Sequence, residues 1–202
     1  MPVTQRLTDR KRQAIVQAAI EAFRTTGFES TSMDKIAASA GVSKRTVYNH
    51  FPSKEELFAE ILLQLWQSSV AQINLAYQAG APLRGQLLEL VQQKLRMLAD
   101  SNFIDLARVA IAQTIHAPER AQDIVARLSE KEEGITVWLR AALADGRLKP
   151  VDPNFASQQL QGLIKTFAFW PQVTLSCAPP DQDMQQHIAQ ATVDMFLAYY
   201  AA

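Results

Sequence analysis

Lys44, Arg45, Tyr48 and Asn49 are the residues whose types and spacing suggest chemistry, and that chemistry is recognition rather than catalysis. Arginine and lysine suit the O6 and N7 acceptors of guanine, asparagine suits N6 and N7 of adenine, and a tyrosine hydroxyl suits a phosphate oxygen. Each good bidentate base contact contributes roughly 1–3 kcal/mol of discrimination. Val47 and Phe51, four residues apart, mark the inward face of the same short helix, so the polar four fall on its outer faces. Catalytic chemistry has no comparable footing. Three scattered histidines (His50, His116, His187) and one cysteine, Cys177, provide no nucleophile–base pair and no metal-ligand spacing, and no Gly-rich phosphate loop is present. The chain is therefore read as a non-enzyme without metal or cofactor.

The elements that must position these residues are short and sharply punctuated. Thr31 precedes Asp34 by three, the spacing of a capping box, which predicts a helix from about Ser32. Met33, Ile36, Ala37 and Ala40 then fall on one helical face, and Gly41 supplies the left-handed conformation of a turn. Ser43 is a second N-cap, and the helix from Lys44 to Phe51 is stopped by Pro52. Two helices joined by about three residues containing Gly make a helix-turn-helix. Ser53 and Glu56 form a further capping box, which places Lys54 in the first turn of the next helix, next to any DNA backbone.

The pattern IAxxAGVSxxTxYxHFxSKExLF, Ile36 to Phe58, resembles the DNA-binding motif of the TetR family of bacterial transcriptional regulators. A helical hairpin with a merely solvated polar face would explain two short helices. It would not explain the combination of Thr46, Tyr48, His50, Phe51, Ser53 and Lys54. The resemblance implies a DNA-contacting set of Thr31, Ser32, Ser43, Lys44, Arg45, Thr46, Tyr48, Asn49, His50 and Lys54.

The charge distribution agrees with a reading head on a different body. The 202-residue chain has a formal net charge of zero, yet residues 1–54 carry nine Lys/Arg against four Asp/Glu, leaving eleven against sixteen for the remainder. A basic module on an acidic body is the footprint of a nucleic-acid reader whose second part does something else. No apolar run approaches the roughly 20 residues a membrane span needs, and the first residues lack a signal-peptide core, so the expectation is cytoplasmic. A lone Cys177 fits a reducing compartment.

Taken in order, residues 1–7 are expected to form an arm, with Arg6, Arg10, Lys11 and Arg12 available to phosphates. A first helix from about Thr8 or Asp9 to Gly27 buries Ile15, Ala18, Ala19, Ala22 and Phe23. From Ser53 no breaker intervenes to Ala79, predicting a helix of roughly 39 Å at about 1.5 Å per residue that bridges the two parts. The domains are thus 1–54, a three-helix DNA-binding domain, and 55–202, a helical effector-binding and dimerisation domain. Further helices are expected from Pro82 to Ala99, from Ser101 or Asn102 through Ile115, from Pro118 to Asp145 and from Asp152 to a stop at Pro171. A last one runs from Asp181 to the C-terminus. No strand pattern is visible, so the fold class is all-α with about nine helices. The segment Ala144 to Pro171, with its GRL and DP-x-x-A elements and Gly-Leu-Ile-Lys run, is similar to the C-terminal domain of AefR-like TetR-type regulators.

That resemblance implies a homodimer joined through the last two long helices, with Phe155, Gln159, Leu163 and Phe167 on one and Ile188, Ala191, Met195 and Tyr199 on the other. A dimer also meets a physical need, since one reading helix covers only a few base pairs. It implies too a pocket for a small, largely apolar effector, for which Trp66, Phe103, Gln113, His116, Trp138, Phe169 and Trp170 are the candidates. The function expected is a ligand-responsive homodimeric repressor on a palindromic operator, a double-stranded DNA site. A non-specific architectural DNA-binding protein is the alternative.

Overall fold

In the computed structural model, which describes residues 3–71, 75–116 and 134–202, every regular element is a helix. These are α1 (Val3–Thr26), α2 (Met33–Ser39), α3 (Lys44–His50), α4 (Lys54–Ala71), α5 (Leu83–Leu98), α6 (Ser101–His116), α7 (Gly134–Ala144), α8 (Pro153–Ala168), α9 (Trp170–Leu175) and α10 (Gln182–Tyr200). The expected Pro118 to Asp145 helix falls largely outside the described residues; within its span, Gly134–Ala144 is helical. None of the described helices is long and apolar enough to cross a membrane.

The described residues divide into two compact units. The first takes 3–66 and 105–116, so it runs past residue 54 and includes most of α6. Its core gathers Ile15, Ala19 and Phe23 of α1, Ile36 of α2, Val47 and Phe51 of α3, Leu57 and Ile61 of α4, and Leu106 and Val109 of α6. Phe28, in the loop after α1, stands 5.1 Å from the Phe23 ring and 5.5 Å from that of Phe58, so aromatic edges close the base of the unit. Helix α1 begins at Val3 rather than Thr8 or Asp9, because nothing in 3–26 breaks a helix.

The second unit takes 67–71, 75–104 and 134–202. Here α10 packs on α5 and α8, α8 on α7, and α9 on α8. Leu87, Leu90, Val91, Ile135, Trp138, Leu139, Leu160, Ile164, Ile188 and Val193 are buried within it. The GRL and DP-x-x-A elements have plain structural reasons. Gly146 (φ +67) ends α7 in a Schellman turn, with its own N–H on Leu143 O and that of Arg147 on Ala142 O. Leu148 is buried, Asp152 caps α8 through the Asn154 N–H, Pro153 sits in the first turn, and Ala156 is buried. The C-terminus is tied back by Lys149 N–H to Tyr200 O (2.7 Å) and Ala202 N–H to Arg147 O (3.2 Å), an isolated antiparallel bridge beyond the helix end.

Two expectations are corrected here. Helix α4 is described over Lys54–Ala71, and 75–78 are not helical, so the expected run to Ala79 is not met. The side chain of Gln86 competes with helix formation there, accepting from the Gln78 N–H (2.8 Å) and donating to Gln78 O (3.0 Å), while Tyr77 packs at 5.6 Å on Trp138 and donates to Asp145 at 2.5 Å. Pro171 does not end the helical path. It breaks α8 at Phe169 and then occupies the first turn of α9, and the buried Gln172 amide donates to Ala168 O and Leu98 O across the break.

The hydrogen bond to the Asp145 carboxylate raises the Tyr77 phenol above its usual 10.0. A raised folded value means the stabilisation is complete below pH 10 and is lost as pH rises through the folded value. Urea denaturation across that range is expected to show a loss of stability in the native chain that Tyr77→Phe lacks.

Candidate nucleic-acid interface

Helix α3 is two turns long and is held by its ends. The Ser43 hydroxyl accepts from the Thr46 N–H at 3.1 Å, and the Phe51 N–H donates to Val47 O at 2.8 Å. Before it, Gly41 (φ +66) makes a Schellman turn after α2, its N–H on Ala38 O and that of Val42 on Ala37 O. Val47 is fully buried, which orients the helix. The opposite side therefore faces solvent: Ser43, Lys44, Arg45, Tyr48 and Asn49 are exposed, with Thr46 and His50 half-buried beside them. Tyr48 is 49% exposed. Lys44 is paired with Asp34 of α2 at 2.5 Å, a mutually exposed pair of the kind that contributes little to stability and exchanges easily for a phosphate. The face thus offers hydrogen-bond donors in a fixed array at the height of a protruding helix, which suits a DNA major groove.

Thr31 and Lys54 do not belong to that face. Thr31 is only 3% exposed; its hydroxyl donates to Gly27 O at 2.7 Å and shares a hydrogen bond with the Thr26 hydroxyl at 2.8 Å. The cap of α2 is instead Ser32, which accepts from the Lys35 N–H at 3.3 Å and is exposed. Two adjacent hydroxyls compete for the cap, and Thr31, with its methyl group, is the one drawn into the core. Lys54 turns inward: its ammonium donates to Phe28 O (2.6 Å), Thr31 O (3.2 Å) and Glu29 O (3.3 Å) and lies 4.2 Å over the Phe28 ring. Arg12 is likewise engaged, paired with Glu60 at 2.7 Å and lying 4.6 Å over the Phe51 ring. Arg10 and Lys11 remain exposed, while the Arg6 side chain lies outside the described residues.

The second unit separates the other candidates. Phe155, Gln159, Phe167, Ala191, Met195 and Tyr199 are exposed and Leu163 half-buried, but Ile188 is core at 4%, because α10 turns that position toward the unit's interior. Gly162, Phe196 and Tyr200 join Phe155, Gln159, Leu163, Met195 and Tyr199 in lining a groove of about 600 Å³ between α8 and α10. Gly162 falls at the i+7 position from Phe155, a signal the sequence held and that went unused. Of the effector candidates, Phe103 and Phe169 are buried with rings 6.4 Å apart, and Trp170 adjoins Phe169 at 5.0 Å but is 47% exposed. Trp138 is brought elsewhere, fully buried against Tyr77 with its indole N–H 3.4 Å from Gln86 Oε1. The side chains of Trp66, Gln113 and His116 lie outside the described residues. Among the described residues no His, Cys, Asp or Glu cluster could hold a metal ion.

Comparison with known proteins matches both units. A family model described as bacterial regulatory proteins, tetR family, matches residues 15–61, and one described as AefR-like transcriptional repressor, C-terminal domain, matches residues 85–202. The HTH-type transcriptional regulator RutR of Escherichia coli K12 is 31% identical over 173 residues, covering 83% of this chain and 79% of RutR. A crystal structure of a TetR family transcriptional regulator from Pseudomonas syringae pv. tomato DC3000 superposes with a TM-score of 0.86 at 54% identity, covering 95% of this chain and 96% of that one. The flavonoid-responsive regulator FrrA superposes at 0.72 with 26% identity, covering 96% and 98%.

The buried hydroxyl of Thr31 gives a direct check on its reassignment. Thr31→Val keeps the shape and removes the donor to Gly27 O, so chemical denaturation is expected to show a loss of about 1–2 kcal/mol. An unchanged midpoint would return Thr31 to the surface.

Proposed function

We infer, because this chain belongs to the TetR family of bacterial transcriptional regulators, that it is a homodimeric repressor that releases a palindromic operator on binding a small, largely apolar effector. The observation that carries the DNA-reading part is α3 itself: a doubly capped helix whose buried Val47 leaves Arg45, Tyr48 and Asn49 outward. Arg45 and Asn49 are assigned to base edges, Tyr48, Lys44, Ser43 and Ser32 to phosphates, with Thr46 and His50 framing the face.

The exposed apolar face of α8 and α10 supports dimerisation. Phe155 is 52%, Phe167 58%, Met195 62% and Tyr199 71% exposed, and no Lys, Arg, Asp or Glu lines the groove they border. A soluble chain rarely leaves such a face to water. A second copy of the same two helices would cover it as a four-helix bundle. Two reading helices related by a two-fold axis then meet half-sites about 34 Å or a multiple of it apart.

Effector control follows as a population shift: a ligand releases the operator to the extent that it binds the non-reading conformation more tightly. The apolar character assigned to the effector rests on Phe103, Phe169 and Trp170 as a contiguous aromatic group and on the flavonoid-responsive relative. An architectural, non-specific DNA role fits less well, since the body carries an acidic excess.

Fluorescence anisotropy against DNA from upstream of the protein's own gene, with excess random competitor, is expected to saturate at two protomers per site. Binding abolished by the competitor would instead indicate non-specific association. Met195→Glu, which places a charge in the apolar face, is expected to give a monomer by size exclusion and to weaken operator binding at least tenfold. Asn49→Ala is expected to keep overall affinity for random DNA and lose roughly 1–3 kcal/mol of preference at one half-site position, read in a panel of operator variants.

A further inference from the structure

Gly162 stands in the middle of α8, a helix of 16 residues, where glycine is a poor choice. An interior glycine weakens a helix relative to alanine, because more backbone freedom is lost on folding and no side chain packs in return. Its φ is negative, so any residue could stand there. A Cβ at Gly162 would meet no described atom within 4 Å, so nothing among the described residues demands glycine either. Gly85 is equally open but falls in the first turn of α5, where helix ends fray. What surrounds Gly162 is the groove between α8 and α10, with Phe155, Leu163, Met195 and Tyr199 around it. The hydroxyls of this face are satisfied inside the protomer: Tyr200 is paired with Gln159, and Thr166 donates to the carbonyl of Gly162 itself at 2.9 Å. A face whose hydroxyls already have partners can be covered without stranding a donor.

We propose that Gly162 is a point of closest approach between two copies of this chain: the missing side chain leaves a hole in the α8–α10 face, and the same face of a second copy fills it with one of its exposed apolar side chains. The proposal rests on the dimer inferred above and specifies where its two copies meet. A two-fold interface is self-complementary, so a single face must carry both the hole and the knob. This one does, with Gly162 as the hole and Phe155 and Met195, 52% and 62% exposed, as knobs at its rim. The helix propensity given up at Gly162 is recovered only in the pair, where a partner side chain packed at protein density makes contacts that a Cβ would exclude. In the lone protomer the glycine is only a cost.

Alanine and leucine are both strong helix formers, so helix propensity alone predicts that Gly162→Ala and Gly162→Leu each strengthen α8. Filling the hole predicts instead that each weakens association, in order of size. The probe is the full chain itself, labelled with a fluorophore at its N-terminus and followed by sedimentation velocity over a dilution series. The dimer dissociation constant is expected to rise about tenfold for Gly162→Ala and at least about a hundredfold for Gly162→Leu. In a Met195→Glu background, where the chain is expected to be monomeric, Gly162→Ala is expected to raise the Tm by roughly 2–4 °C. The same substitution thus acts with opposite sign on the protomer and on the pair, which a glycine needed only within α8 would not show. Should Met195→Glu not fold, the order of Gly, Ala and Leu in the dissociation constant carries the test alone.

A native dissociation constant for both variants, or a tighter dimer, would overturn the proposal: the copies would then meet away from Gly162, and the groove there would be left to another occupant. A lowered Tm for Gly162→Ala in the monomeric background would overturn it too, by showing that glycine is required inside the protomer. If the native chain sediments as a monomer at every concentration, the dimer itself falls and the proposal with it, an outcome distinct from both of these.

Discussion

A seven-residue helix cannot maintain itself in water, because nucleation fixes several residues for a single hydrogen bond and there is no length over which to recover the cost. The first unit contains two of them in succession, α2 and α3. Everything else in the unit answers to that constraint. Ser32 and Ser43 satisfy N-terminal donors, and the Gly41 turn satisfies carbonyls at the end of α2. Ile36, Val47 and Phe51 give each helix a buried anchor against α1 and α4. The outward residues Lys44, Arg45, Tyr48 and Asn49 can then be polar, since the buried anchors and the Ser43 cap hold α3.

The same constraint explains how the cations are used. Nine Lys/Arg in residues 1–54 make the module basic, but a guanidinium or ammonium above an aromatic ring can serve as a packing element as well as a charge. Arg12 above Phe51 and Lys54 above Phe28 are of that kind, each half-buried and hydrogen-bonded as well. Lys44, by contrast, has an exposed carboxylate partner in Asp34 that water and salt can replace.

Which features were legible in the sequence follows from how local they are. Ser43, Ser53 and Asp152 as caps, Gly41 and Gly146 as helix ends, and Val47 as the inward residue of α3 are each decided within about four residues of chain, and the structure has them as read. Choices settled by tertiary partners were not legible. Thr31 and Ser32 are chemically near-equivalent as caps, and only the carbonyls of Gly27 and Ala22 above Thr31 decide between them. The non-helical path at 75–78 goes with Gln86, a residue later in the chain whose amide holds the Gln78 backbone. Apolar residues all round α10 hid the fact that Ile188 faces inward while Met195 faces out. Charge type gave the sign of Lys54 but not its direction.

The two units consequently rely on different physics at their exposed faces. Around α3 the surface is polar and cationic, with its order imposed from beneath by buried apolar anchors. Between α8 and α10 it is apolar, and the Tyr200 hydroxyl is satisfied locally by Gln159 at the groove edge. A face of that second kind gains from burial in proportion to area and is nearly indifferent to salt. One of the first kind gains from counterion release and is strongly sensitive to it. Placing the two kinds of face on different units makes any contact of the one depend on buried area and any contact of the other on ionic strength.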